Sequence, residues 1–228
     1  MATAVIAPGE DLAAFVAKWR GHWPEWQVAE TFVPQPQRAP AVAWYALREE
    51  LAEAAWGFAD PRPGDAKLGW WAEELQGWQQ GRRRHPLGQV LQPMTAPWAT
   101  LATCLPALQA ARTLPGDVEQ AIGLLEHYAE AVAGVAQSLF ACERPAPARG
   151  VVLAQLAERA VLLSRLGQAD AAFAGMLHSG WGAVADGSVA GRLHAALLRA
   201  RLRRLADGQA GPLPAWQVLP LAWRAARG

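Results

Sequence analysis

The densest group of chemically useful side chains lies in residues 67–91, KLGWWAEELQGWQQGRRRHPLGQVL. It holds three tryptophans, the adjacent Glu73 and Glu74, the run Arg82, Arg83 and Arg84, and then His85-Pro86. Arginines among aromatic rings suit nucleic acid, and carboxylates near a histidine suit acid–base work. The same residues also spell a helix with a strong stop. Leu68, Trp71, Leu75 and Trp78 recur at i, i+3, i+7 and i+10, one helix face, with Glu73 and Glu74 off that stripe. Asp65, after Pro63-Gly64, is the expected N-cap. Gly81 is the expected left-handed residue past the helix end, and Pro86 suits the first turn of the next helix. The tryptophans are therefore expected in the core. The arginines follow a helix C-terminus, where positive charge is favoured, and read either as solvated charge or as an anion site.

Other chemistries find little material. Cys104 and Cys142 form no CxxC pair, which excludes a zinc ribbon and a dithiol redox motif and leaves two thiols expected to be buried in a reducing compartment. There is no HExxH, and Ser179 lacks a GxSxG frame. GWGAVA at 180–185 fits GxGxxA only formally, because it lies in helical sequence and follows no strand. His22, His178 and His194 have no partner pattern and read as structural.

The elements that must position these residues are helical. Of the 228 residues 52% are hydrophobic and 18% charged, enough for a sizeable core and too apolar for wholesale disorder. The net charge of +1 excludes a general polyanion binder, so no nucleic-acid partner is expected. Alanine and leucine dominate and β-branched residues are scarce, which favours helix over strand. Pro/Gly clusters divide the chain into expected helices at 10–20, 39–58, 64–80, 84–91, 97–112, 116–141, 149–167, 169–184, 187–206 and 215–226. Short links between long amphipathic helices predict one packed all-α domain. The N-terminal stretch has no basic n-region, and no window reaches the ~20 apolar residues of a membrane span. A cytoplasmic location is expected. Lys18 and Lys67 are the only lysines among abundant arginine and alanine, a composition that suggests a GC-rich bacterial genome.

One pattern carries a resemblance. Lys67, Leu68, Trp70, Trp71, Glu74, Leu75, then Gly81, Arg82, His85, Pro86 and Leu87 read K-L-x-W-W-x-x-E-L, gap, G-R-x-x-H-P-L. Upstream, Phe32, Pro34, Arg38, Tyr45 and Ala46 lead into a long helix, and LLEHYAEAVAGVAQSLF holds Tyr128. Over about residues 25–170 this resembles the squalene/phytoene synthase family. The resemblance implies an isoprenoid-synthase-like helical bundle around a central cavity. It also implies a prenyl diphosphate or other isoprenoid ligand, and in active members two facing DxxxD motifs that hold magnesium on the diphosphates. Hard Mg²⁺ wants carboxylate oxygens there, because ionisation leaves a multiply charged anion beside a carbocation.

The sequence departs from that pattern where the chemistry should lie. The first motif falls on residues 52–56, so Ala52 and Trp56 replace its two aspartates, with Trp56 expected to fill a ligand's place. Glu53 remains, with Glu49 and Glu50 a turn before it on the same helix side. They read as unorthodox metal ligands or as a solvated acidic face opposite Trp44, Leu47, Leu51 and Phe58. LSRLGQAD places Arg165 on the second motif's arginine, Leu166 on its first aspartate and Asp170 on its second. The candidates carried by the resemblance are therefore Arg38, Tyr45, Glu49, Glu53, Tyr128, Arg165 and Asp170 for the cavity and diphosphate. Glu49, Glu53 and Asp170 are the candidate metal ligands, with Mg²⁺ if the protein is active. Too few carboxylates remain for a multi-magnesium site. The expectation is a degenerate member that retains an apolar prenyl cavity or serves binding or assembly with a protein partner. The alternative is an active transferase using Glu49, Glu53, Asp170 and Glu158 to join two prenyl diphosphates head to head. Arg192, Arg199, Arg203 and Arg204 beside a leucine stripe allow peripheral membrane contact or an ordinary solvated helix.

Overall fold

A computed structural model describes residues 8–113, 118–182 and 187–227. Every regular element among them is helical, as expected. The α-helices are α1 (Pro8–His22), α2 (Trp26–Ala29), α3 (Gln35–Trp56), α4 (Pro61–Gln79), α5 (Gly88–Leu91), α6 (Trp98–Cys104), α7 (Pro106–Ala110), α8 (Val118–Phe140), α9 (Ala148–Arg165), α10 (Ala171–Gly180), α11 (Val189–Ala206) and α12 (Ala215–Arg227). The helix expected over 97–112 is divided by Pro106 into α6 and α7, with a 3-10 turn at Ala111–Thr113. The one expected over 169–184 stops at Gly180, and residues 183–185 of the GWGAVA stretch lie outside the described residues. Pro86 occupies a turn ahead of α5, where Gly88 N–H donates to His85 O at 2.9 Å.

Helix α3 is the axis of the molecule. From Pro40 to Trp56 only Glu49 and Glu53 are not fully buried, which is what an element packed on several sides requires. It touches α1, α4, α5, α7, α8 and α9. Small residues on α3 let neighbours close in: a Cβ added at Gly64 of α4 would stand 2.2 Å from Ala54 O. Helix α9 is buried without a break from Val151 to Glu158, and it packs on α3, α8, α10 and α11.

The opening stretch is helix, stop, turn. Gly81 has φ +76°, with Arg82 N–H to Gly77 O at 2.8 Å and Gly81 N–H to Trp78 O at 3.1 Å, a Schellman ending. Trp71, Leu75 and Trp78 are buried and Trp70 is half-buried. The start differs from expectation. Helix α4 begins at Pro61, capped by the Asp60 carboxylate accepting from Arg62 N–H at 3.0 Å, while Asp65 lies inside the helix and pairs with Arg112. Prolines at 61 and 63 are both tolerated in a first turn, so they open the helix earlier than the Gly64-Asp65 pair suggests.

Two further expectations are corrected. Cys104 and Cys142 are free thiols, and both are half-buried, not buried. Helix α11 is not a surface helix free to rest on lipid. It packs on α9, α10 and α12, its leucines 193, 197, 198, 202 and 205 are buried, and Arg201 is buried against Glu25 at 2.6 Å. Among the described residues no helix is long and apolar enough to cross a membrane.

Candidate functional site

Helix α3 divides the site into two unequal spaces. On one side Glu49, Glu50 and Glu53 stand on adjacent turns. They are not a solvated face, because α1, α4 and α9 bring cations to all three. Glu50 meets Lys67 at 2.7 Å and Lys18 at 3.3 Å, and Glu53 meets Lys18 at 3.2 Å. Both lysines of the chain thus converge on one acidic pair. Glu49 takes Arg165 at 2.7 Å, the His22 Nδ1 at 2.6 Å and the Trp23 indole N–H at 3.0 Å. Burial pushes the Glu49 carboxyl up, but the His22 hydrogen bond and the Arg165 guanidinium outweigh it and hold the group below the usual range. Lys18 loses charge stability to burial and regains more from Glu50 and Glu53, so its ammonium titrates above its ordinary value. Three carboxylates face Lys18, Lys67 and Arg165, which cancels their charge.

The gaps that these carboxylates themselves line are small, although a space of ≈ 390 Å³ with no carboxylate among its lining residues opens past His22 and Arg165, beside Pro24, Val161, Arg201 and Leu205. The gap bounded by Glu49, Ala52, Glu158, Val161 and Arg165 holds ≈ 20 Å³, and the one between Lys18, His22, Glu49, Glu50 and Glu53 ≈ 10 Å³. A single water needs about 10–15 Å³, so neither admits a diphosphate.

Beyond Tyr45 and His194 the picture reverses. These two rings stack at 4.0 Å between centroids and line both the ≈ 20 Å³ gap and a cavity of ≈ 370 Å³. Helices α3, α8, α9 and α11 wall the cavity with Trp44, Val132, Ala136, Val151, Leu153 and Ala195, and Cys142, Arg149, Trp181 and Ser188 are also in its lining. Its polar groups are few. Arg48 is buried and donates to Glu158 at 3.1 Å and Gln155 at 3.4 Å, while its Nε has no acceptor among the described residues. His194 accepts at Nδ1 from the Trp26 indole (3.2 Å), which leaves Nε2 to donate to Glu158 at 2.9 Å. Burial pushes the imidazole pKa down, and Arg48 and Arg201 add to that against the pull of Glu158. The phenols of Tyr45 and Tyr128 are raised by burial, Glu158 adding to that against Arg48.

The sequence candidates scatter accordingly. Tyr45, Glu49, Glu53 and Arg165 come together. Tyr128 is fully buried with its hydroxyl on Gln155 Oε1 at 3.3 Å, and it is not a cavity-lining residue. Arg38 closes the turn before α3, donating to Val33 O and Thr31 O at 3.0 Å each, away from the cavity. Asp170 is the N-cap of α10, accepting from Phe173 N–H at 2.9 Å, and it does not face α3 as a metal ligand. Trp56 turns its indole toward Ala111 O (3.4 Å) and does not fill a ligand's place in the gap. Sequence reasoning passed over His22, Arg48 and His194, and it missed the burial of Glu74.

Whether magnesium fits follows from the donors. Among the described residues the one group close enough to share an ion is His22, Glu49 and Glu53, with ligand atoms within 4.8 Å of one another. Mg²⁺ takes a near-octahedral shell of oxygens. Here one donor is an imidazole nitrogen, and both carboxylates already hold cations. A magnesium cluster does not fit these residues.

The profile of the squalene/phytoene synthase family matches residues 24–142, more than half of the chain. The match covers α2 to α8 and stops before α9, so it lends nothing to the alignment of Arg165 and Asp170 on a second motif. No curated protein and no solved structure matches the chain. From the matched residues and the all-α arrangement around a cavity, the chain belongs to the squalene/phytoene synthase family, with an isoprenoid-synthase-like fold.

Proposed function

We propose that this protein is a noncatalytic member of its family that holds a single isoprenoid-like chain in the cavity behind Tyr45 and His194. The observation that carries the reading is which residues line each space: among the described residues no carboxylate lines the mainly apolar cavity of ≈ 370 Å³, and the gaps lined by Glu49, Glu50 and Glu53 hold only ≈ 20 Å³ and ≈ 10 Å³. The cavity has room for an isoprenoid-like chain, whereas the ≈ 20 Å³ gap holds about one water. The lysines and arginine on Glu49, Glu50 and Glu53 stand where a working site would need metal ions, and they leave no uncompensated negative charge to recruit them. A prenyl alcohol suits the cavity as well as a diphosphate does, because Arg48 Nε is a buried donor on a lining residue and needs only an oxygen acceptor. The free, half-buried Cys104 and Cys142 support a reducing, cytoplasmic setting.

Two measurements test this reading. The protein incubated with farnesyl diphosphate and Mg²⁺ should release no diphosphate and form no condensed product. Farnesol should slow alkylation of Cys142, which lines the cavity, and leave Cys104 unaffected. Turnover that Glu53→Ala abolishes would overturn the reading and favour the enzyme.

A further inference from the structure

We infer that the exposed face of α12 docks the protein on an anionic lipid surface. Val218 and Ala222 of this helix are buried, and the helix packs on α11 and α2. Its other side carries Trp216, Leu219 and Trp223, 75%, 57% and 47% exposed, at i, i+3 and i+7. Arg224 and Arg227 are exposed beside them, and the Arg227 guanidinium lies 3.9 Å from the Trp223 ring centroid. From Gly208 to the last residue there is no aspartate or glutamate. Indole rings with arginines on one helix face, and no carboxylate to repel phosphate, match the chemistry of an acidic headgroup layer.

Area favours lipid over a protein partner. The three exposed side chains offer roughly 400 Å², about half of what each side of a standard protein interface supplies. They stand on a convex helix, which an acyl–headgroup boundary accepts more readily than a rigid surface does. The position also has a use. Arg192 donates to Ala225 O at 3.0 Å and Ala226 O at 3.1 Å in the last turn of α12, and to Gly187 O at 2.9 Å. Gly187 lines the ≈ 370 Å³ cavity. One guanidinium therefore ties the docking helix to the cavity wall, so a chain held in the membrane would be near the cavity. The docking itself does not depend on what the cavity binds.

The test is flotation of the full chain with phosphatidylcholine vesicles, with and without phosphatidylglycerol. The protein should float with the anionic vesicles, and Trp216→Ser with Trp223→Ser should lower that binding at least tenfold without changing the melting temperature. Arg224→Gln should weaken it about fivefold, the share of one cation near an acidic surface. Equal binding by parent and double variant, or no binding by the parent, would overturn the proposal. So would a parent dimer that the double variant converts to monomer, because a second copy would then be the occupant.

Discussion

Glu74→Ala should be among the most damaging single changes in the stretch that begins at Lys67. Glu74 is 1% exposed, yet its carboxylate is charged and fully used. Its Oε1 accepts from Arg84 N–H at 2.7 Å, His85 N–H at 2.8 Å and the Trp78 indole N–H at 2.8 Å; its Oε2 accepts from Arg84 Nε at 2.9 Å. The carboxylate thus fixes the chain on the far side of the Gly81 turn. Each hydrogen bond to a buried charge is worth about 1.5–3 kcal/mol, and contributions within one network do not add fully. Alanine leaves these donors without an acceptor, so the loss should be about 4–5 kcal/mol, a large part of the ~5–15 kcal/mol of a typical domain. That corresponds to a fall in melting temperature of about 8–20 °C for a chain of this size. Glu74→Gln should cost less, because an amide oxygen can keep the Oε1 bonds while its NH₂ faces Arg84. Burial pushes the Glu74 carboxyl up, but the His85 and Arg84 N–H groups, the Arg84 side chain and Trp78 outweigh it and lower the pKa. The contribution is therefore complete above the unfolded value of about 4.3 and is lost as pH falls through the folded value. Parent and Glu74→Gln should converge in stability in acid. Urea denaturation across pH measures both effects. A Glu74→Ala protein within about 1 kcal/mol of the parent, well inside the cost of one charged hydrogen bond, would refute the reasoning.

Trp71→Ala should cost about 3–5 kcal/mol in the same assay, because Trp71 is 1% exposed. Arg82→Ala and Arg83→Ala should leave the melting temperature unchanged, whereas Arg84→Ala should lower it through Glu74. Ala52→Asp restores one aspartate of the family motif but puts it in the ≈ 20 Å³ gap beside Glu49 and Glu158. It should destabilise by at least ~3 kcal/mol, as an uncompensated buried charge does, and calorimetry should find no magnesium-dependent ligand binding.

Periodicity and stop signals made most of the fold legible. The stripe Leu68–Trp71–Leu75–Trp78 and the terminal Gly81 depend on neighbours a few residues away, and both came out as read. Glu74 did not, because its partners lie past the turn and its residue type suggests solvent. The acidic turn of α3 was misread for the same reason: Lys18 reaches Glu53 from 35 residues away and Arg165 reaches Glu49 from 116, and no local pattern links them. Asp170 matched a motif by spacing alone, and an aspartate before a helix is as readily a cap. Only Glu25, set between Trp23-Pro24 and Trp26, carried a local hint of burial, being a charge enclosed by indoles; its partner Arg201 lies on α11. The cavity itself was expected from the resemblance, and its division by Tyr45 and His194 depends on tertiary packing that spacing does not encode.

The most direct test is calorimetry of farnesyl diphosphate and farnesol, each titrated into the full chain with Mg²⁺ and again with EDTA. If the cavity takes one apolar chain and the cations on Glu49, Glu50 and Glu53 stand in for metal, both ligands should bind with similar affinity, one per chain, and EDTA should change neither. Diphosphate binding that collapses in EDTA, with farnesol a poor ligand throughout, would mean that the glutamates hold metal after all and would contradict the noncatalytic reading.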